Sequence, residues 1–206
     1  MDEREKAKQQ RRKALPLYLL HTFIAITITV TILYGGYYHC HSIPIPRSND
    51  FGEKFLYASR YCTFPQAVFL LVAILRVGAK RGSTPALNPL AGKEYLLQTE
   101  KNVLMNTVEQ LLCFLLLVVT LTTYLEPSEM RIIPLYSLAF IVGRVIFMIG
   151  YSFGPKHRSI GMSINFNLSF FFIGYIIYLM YLRGFMYGTL IDSLSPTASA
   201  TGKSEL

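Results

Sequence analysis

The sequence predicts an all-α membrane protein of five transmembrane helices, and three observations carry that reading. Of the 206 residues, 52% belong to the apolar and aromatic set and only 16% are charged, against roughly 25% in ordinary soluble domains. The apolar residues are gathered into long runs, and the basic residues stand mostly at the borders of those runs.

Charge comes first. Twenty Lys and Arg against twelve Asp and Glu give a formal charge of +8, an excess that fits nucleic acid, acidic lipid or a positive-inside pattern. Placement decides between them. Arg4, Lys6, Lys8, Arg11, Arg12 and Lys13 precede the first apolar run, and most others flank later runs instead of lining one face. No nucleic-acid partner is expected, and the expected surroundings are a lipid bilayer.

Residues 1–14 read as a basic tail and 15–38 as an amino-terminal transmembrane helix, since no formal charge interrupts Leu15 to Tyr38. That run exceeds a signal-peptide core, and Tyr34-Gly35-Gly36-Tyr37-Tyr38 offers no small-x-small cleavage site before His39, so a retained anchor is expected. Residues 39–60 read as a loop. A second span is expected over Tyr61 to Leu75, short enough that Arg60 and Arg76 must reach outward from its ends, with Pro65 in its first turn. The third span covers Asn102 to Leu125, interrupted by Glu109, and the fourth Ile132 to Gly154, interrupted by Arg144, with Pro134 in its first turn. The fifth runs from Ser159 to Leu182, where Gly161, Ser163, Ser169 and Gly174 favour close helix contact. Residues 183–206 form a tail, and Ser193 to Leu206, rich in Ser, Thr and Ala, is expected to be disordered.

Orientation follows from the short loops. The amino terminus, the 80–101 segment with Lys80, Arg81, Lys93 and Lys101, and the link with Lys156 and Arg158 are the basic ones. The amino terminus is therefore expected in the cytosol and, after five spans, the carboxyl terminus in the lumen or outside. The terminal Lys203-Ser204-Glu205-Leu206 differs from the Lys-Asp-Glu-Leu retrieval signal by Ser204, and a working signal and a plain tail both fit. No repeat of fixed period and no charged ring suggests a transporter or pore.

Cys40 and Cys62 fall at the two ends of the 39–60 loop, where a disulfide or two free thiols are both open, and Cys113 reads as buried filler within a span. His21 reads as a satisfied polar group of the first span. His39-Cys40-His41 lacks metal-ligand spacing, so no metal is expected. The sequon Asn167-Leu168-Ser169 lies inside the last span, out of reach of glycosylation.

An ionised side chain in hydrocarbon needs a reason to be there, and Glu109 and Arg144 suggest each other. At about 1.5 Å per residue, Glu109 lies roughly 12 Å beyond Lys101 and Arg144 roughly 15 Å from Gly154, on adjacent antiparallel helices. Asn106 precedes Glu109 by three residues and Tyr151 follows Arg144 by seven, giving a polar seam that opens toward Arg158 and Ser159. Two readings stay open: an interhelical ion pair that sets register, or an anion or cofactor pocket of Arg144, Tyr151, Arg158 and Ser159.

Asn106-Thr107-Val108-Glu109 resembles the Asn-x-x-Glu of the second helix of the MAPEG superfamily, and Gly143-Arg144 with Tyr151 resembles its Gly-Arg helix. Arg158-Ser159 is similar to the Arg-Ser that contacts glutathione or its thiolate in the family's prostaglandin synthase branch. The resemblance covers residues 61–182 and implies a MAPEG-like four-helix bundle behind the first span, packed as a homo-trimer. If an enzyme, the chain would be a glutathione-dependent transferase or isomerase for lipophilic substrates. Asn106, Glu109, Arg144, Tyr151 and Arg158 would bind glutathione, with Arg158 and Ser159 as catalytic candidates. The departures are Gln98 and Thr99 where the enzymes carry Glu-Arg, Met105 for Arg, Phe147 for His, and a position near Ala91 for the loop Asp. Ile32-Leu33-Tyr34-Gly35-Gly36-Tyr37, Cys62-Thr63-Phe64-Pro65, Thr122-Thr123-Tyr124-Leu125 and Phe153-Gly154 resemble the five-span, mattrin-like branch. That likeness implies an endoplasmic reticulum, Golgi and secretory-vesicle setting and no established catalysis.

Overall fold

The computed structural model describes residues 3–40, 42–88, 90, 92–153 and 157–185. Ser193 to Leu206, with the terminal tetrapeptide, lie outside the described residues.

Helix α1 (Glu3–Val30) runs through Pro16 and continues by a π-helical turn, Thr31–Gly35, into the short α2 (Gly36–His39). Then comes α3 (Phe51–Ala58), which passes through a second π turn, Ser59–Thr63, into α4 (Phe64–Gly82). The remaining long helices are α5 (Gln98–Tyr124), α6 (Ile132–Phe153) and α7 (Arg158–Arg183), joined by short 3-10 turns. Five helical stretches are long and apolar enough to cross a bilayer, from Leu15–His39 to Arg158–Arg183, and no strand occurs among the described residues.

The second span departs from expectation. It covers Phe51–Gly82, 32 residues, so helix occupies the end of the segment expected to be loop. Asp50 caps it, accepting from Glu53 N at 3.1 Å, while the Glu53 carboxylate accepts from Arg47 N at 2.6 Å and Ser48 N at 3.0 Å. Two features hid it. Pro65 looked like a helix start, but the wider π turn just before it absorbs the missing donor. Lys54 broke the apolar run, yet it is buried, with Nζ donating to Leu125 O at 3.0 Å and Asn49 Oδ1 at 3.1 Å.

That shift moves Cys62 off a loop end and into the bundle. Its buried Sγ donates to Ile133 O at 3.3 Å while Cys40 is exposed, and both are free thiols, so the disulfide does not form. Cys113 is exposed on the outer face of α5, not buried filler.

Helix α7 packs against α1, α5 and α6, and α4 lies on α5 and α6. Leu111, Phe114, Val118 and Leu121 of α5 meet Tyr136 and Phe140 of α6 and Leu168, Phe172 and Ile176 of α7, each set spaced by three or four residues. Phe172 stacks on Tyr136 with ring centroids 3.8 Å apart. The outward faces carry Leu112, Leu116, Phe170 and Ile177, as lipid contact demands.

At the α6–α7 crossing the backbones nearly touch. A Cβ on Gly161 would stand 2.5 Å from Gly143 O and 2.6 Å from Phe147 Cα, so no other residue fits that contact. At the opposite end of α7, Arg183 Nη2 pairs with Glu129 Oε1 at 2.8 Å, and Tyr124 Oη donates to Phe185 O at 3.0 Å. These contacts tie the helix end to the α5–α6 link.

Candidate functional site

The seam forms around Arg144, which is fully buried. A guanidinium has five donors and no acceptor, and the helices supply acceptors from two sides. Asn106 of α5 accepts from Nη1 through Oδ1 at 2.9 Å and through its carbonyl at 3.4 Å. Asn165 of α7, its amide oxygen assigned toward the guanidinium because only that orientation gives both amide groups suitable partners, accepts from Nη2 at 2.6 Å and also from Nε. The Phe147 ring lies under the cation at 4.8 Å and Phe140 at 5.7 Å.

Glu109 is not part of this arrangement. It is exposed on the outer side of α5 and makes no ion pair or hydrogen bond with Arg144. Three residues of helix advance by about 300°, so Glu109 sits roughly 60° round from Asn106, past the edge of the buried stripe of Val103, Thr107, Gln110 and Phe114. The expected Glu109–Arg144 pair is corrected to an arginine held by two asparagine amides.

A second station lies toward the α6–α7 link. Arg158 donates to Tyr151 Oη and its guanidinium carbon stands 4.8 Å over the Tyr151 ring. Tyr151 in turn meets Phe147 edge-on at 5.2 Å. Arg144, Phe147, Tyr151 and Arg158 thus form a ladder in which two contacting rings stand between two cations. Ser159 is hydrogen-bonded to His21 of α1, which makes His21 the satisfied polar group expected and joins the first helix to the last.

Asn165 and His21 are the members that sequence reasoning did not place here. Asn165 follows Arg158 by seven residues, two turns along one face, and an asparagine in the middle of a span was the available signal.

A glutathione site needs cationic and hydroxyl groups ready to receive two carboxylates and a thiolate. Here Arg144 is enclosed, Arg158 lies on Tyr151, and Ser159 is engaged by His21. The residues as placed do not fit that tripeptide. Among the described residues, no group of three or more His, Cys, Asp or Glu could hold a metal ion.

The model of the MAPEG family matches residues 60–178. The chain belongs to the MAPEG family. Its family bundle is therefore α4 to α7, with α1 added in front and packed on α7. The chain is also 22% identical over 145 residues to Transmembrane protein 79 of Bos taurus, covering 69% of this chain and 35% of that protein. It is 23% identical over 138 residues to the Mus musculus protein of the same name, covering 66% and 34%. The chain spans about a third of the length of these curated relatives. No solved structure matches it.

Proposed function

We propose that this chain is a MAPEG-type membrane protein of the Golgi and secretory-vesicle route, acting in membrane traffic and not as a glutathione enzyme. The observation that carries the second half is the enclosure of Arg144 by Asn106, Asn165, Phe140 and Phe147. The family's Gly-Arg helix has here become a packing device. The resemblance of Ile32-Leu33-Tyr34-Gly35-Gly36-Tyr37 and Cys62-Thr63-Phe64-Pro65 to the five-span, mattrin-like branch supports the first half. A homo-trimer fits as well, because Glu109 faces outward from the single chain within a span, where a neighbouring copy can cover it.

Equilibrium binding of radiolabelled glutathione to the purified chain in detergent tests the reading. No saturable binding is expected, together with delayed transit of a secreted reporter in cells lacking the chain. A micromolar dissociation constant that Arg158→Ala abolishes would replace this reading by that of a glutathione-dependent transferase or isomerase. Normal reporter transit in depleted cells would remove the traffic role.

A further inference from the structure

The link between α4 and α5 lies back on the bundle. Its 3-10 turn Pro85–Leu87 packs on α4, and so does the turn Glu94–Leu97 that opens the third span. Ala86 and Leu97 hold it there, both buried. The hydroxyls of Ser83 and Thr84 donate to Lys80 O at 3.1 and 2.9 Å, closing the end of α4. Glu94 is paired with Arg81 at 3.1 Å and with Lys101, which keeps the far end of the link level with the last turn of α4.

What this link turns outward is apolar. Leu87, Leu90 and Tyr95 are 67%, 93% and 70% exposed, and no other large apolar side chain among the described residues is as exposed as Leu90. The link between α5 and α6 behaves differently, burying Leu125 and Met130 completely. Single exposed apolar side chains are ordinary, but three large ones between residues 87 and 95 form a patch. Height decides what meets it. Helix α4 exposes Leu71, Ile74 and Leu75 on its outer face, and Arg81 follows Leu75 by six residues, about 9 Å of helix. That rise reaches the head-group layer, where interfacial segments bury apolar side chains and tyrosine is at home. Charge agrees. From Lys80 to Lys93 the sequence has three bases and no acid, and Lys80 and Lys93 are exposed and make no ion pair among the described residues.

We infer that this link is a lipid-binding surface: Leu87, Leu90 and Tyr95 enter the leaflet at which α4 ends, and Lys80 and Lys93 meet the phosphates of anionic lipids there. A leaflet offers acyl chain and phosphate within one layer, as the interleaved order Lys80, Leu87, Leu90, Lys93, Tyr95 requires. A protein partner would instead need the patch to stand clear of the membrane, whereas the Glu94 pairs and the buried Ala86 and Leu97 draw it back onto α4. The surface is continuous with the outer faces of α4 and α5, which already meet lipid with Leu75 and Met105. It gives the chain a contact with one leaflet beyond its five spans, sensitive to that leaflet's charge, and it is independent of the Arg144 cluster and of the traffic role.

The chain contains no Trp, so a single introduced one reports its own surroundings. Leu90→Trp and Tyr95→Trp, at exposed positions where the larger ring displaces no packing, are each made in the full chain and reconstituted in phosphatidylcholine vesicles. Phe170→Trp, exposed at the middle of the last span, is the deep reference. Both link variants should emit at short wavelength, resist quenching by acrylamide, and be quenched more by lipid brominated near its carbonyl than by lipid brominated at the chain end. The reference should show the reverse order. Brominated phosphatidylserine should quench the link variants about twofold more than brominated phosphatidylcholine at equal mole fraction, and Lys80→Gln with Lys93→Gln, or high salt, should abolish the difference. Water-like emission with full acrylamide quenching would overturn the proposal by placing the link in water. Shielding from acrylamide without quenching by brominated lipid would overturn it too, because a second copy or another protein would then cover the patch. Equal quenching by the two lipids would remove the anionic head groups from it.

Discussion

The Asn165 amide receives Arg144 Nη2 at 2.6 Å, across a helix crossing made possible by glycine on both sides. Gly143 precedes the arginine, and a Cβ there would run into Asn165 itself. The same close approach that packs α6 on α7 therefore delivers the acceptor. A buried cation without a carboxylate is held by hydrogen bonds and ring faces, and its value lies in specifying one register for three helices.

Removing one side of that arrangement should be costly. Asn165→Leu leaves the buried guanidinium short of acceptors and should destabilise the chain by about 3 to 5 kcal/mol, while Arg144→Met with Asn165→Leu should recover much of the loss. Adding Glu109→Gln to Arg144→Met should bring no recovery, because the two residues do not touch. Denaturation in detergent reads all of these. A tolerated Asn165→Leu, or recovery through Glu109→Gln, would contradict the geometry.

Gly161 offers a test of the crossing alone. Even Ala would press its Cβ into the backbone of Phe147 and Gly143, so Gly161→Ala should lower stability by about 1 to 3 kcal/mol, and Gly161→Leu by more. Gly174 of the same helix has nothing within 4 Å of a Cβ, and Gly174→Ala should be neutral or stabilising in the same melts. Equal effects at both positions would mean that α7 does not cross α6 where described.

How far the sequence speaks depends on what each residue's signal competes with. Four spans were legible because bilayer thickness forces long, predominantly apolar runs, and Arg144 was legible as costly in hydrocarbon. The start of the second span was not, since Pro65 and Lys54 both mimic a boundary until a π turn and a buried ammonium site are seen. The partner of Arg144 was misread because opposite charge is the simplest match, whereas helix phase turns Asn106 inward and Glu109 outward.

The cysteines report the helix extension chemically. Cys40 should react with a maleimide in the intact protein, and buried Cys62 should react only after denaturation, with no mobility difference between reduced and unreduced samples. Reporter fusions at Ser48 and Pro85 should read opposite sides, since Phe51–Gly82 is long and apolar enough to cross between them, and Pro85, in the basic 80–101 segment, should read cytosolic. A Cys40–Cys62 bond trapped under native conditions, or two reporters on one side, would refute this arrangement.

Glu109 gives the last prediction. It is exposed within α5, and among the described residues it has neither an ion pair nor a hydrogen bond. A charge left at mid-bilayer costs about 3 kcal/mol on insertion scales, so a lone chain would carry that penalty. Helix α5 also exposes Met105, Val108, Leu112 and Leu116 beside it, a surface that can pack against another copy and enclose the carboxylate. Glu109→Leu should then shift the oligomer toward smaller species in mild detergent, while the melting of the remaining monomer is unchanged or improved because Arg144 keeps both of its amides. Light scattering after size exclusion separates the outcomes. An assembly whose mass does not change with Glu109→Leu would show that the carboxylate faces lipid and plays no part in joining copies.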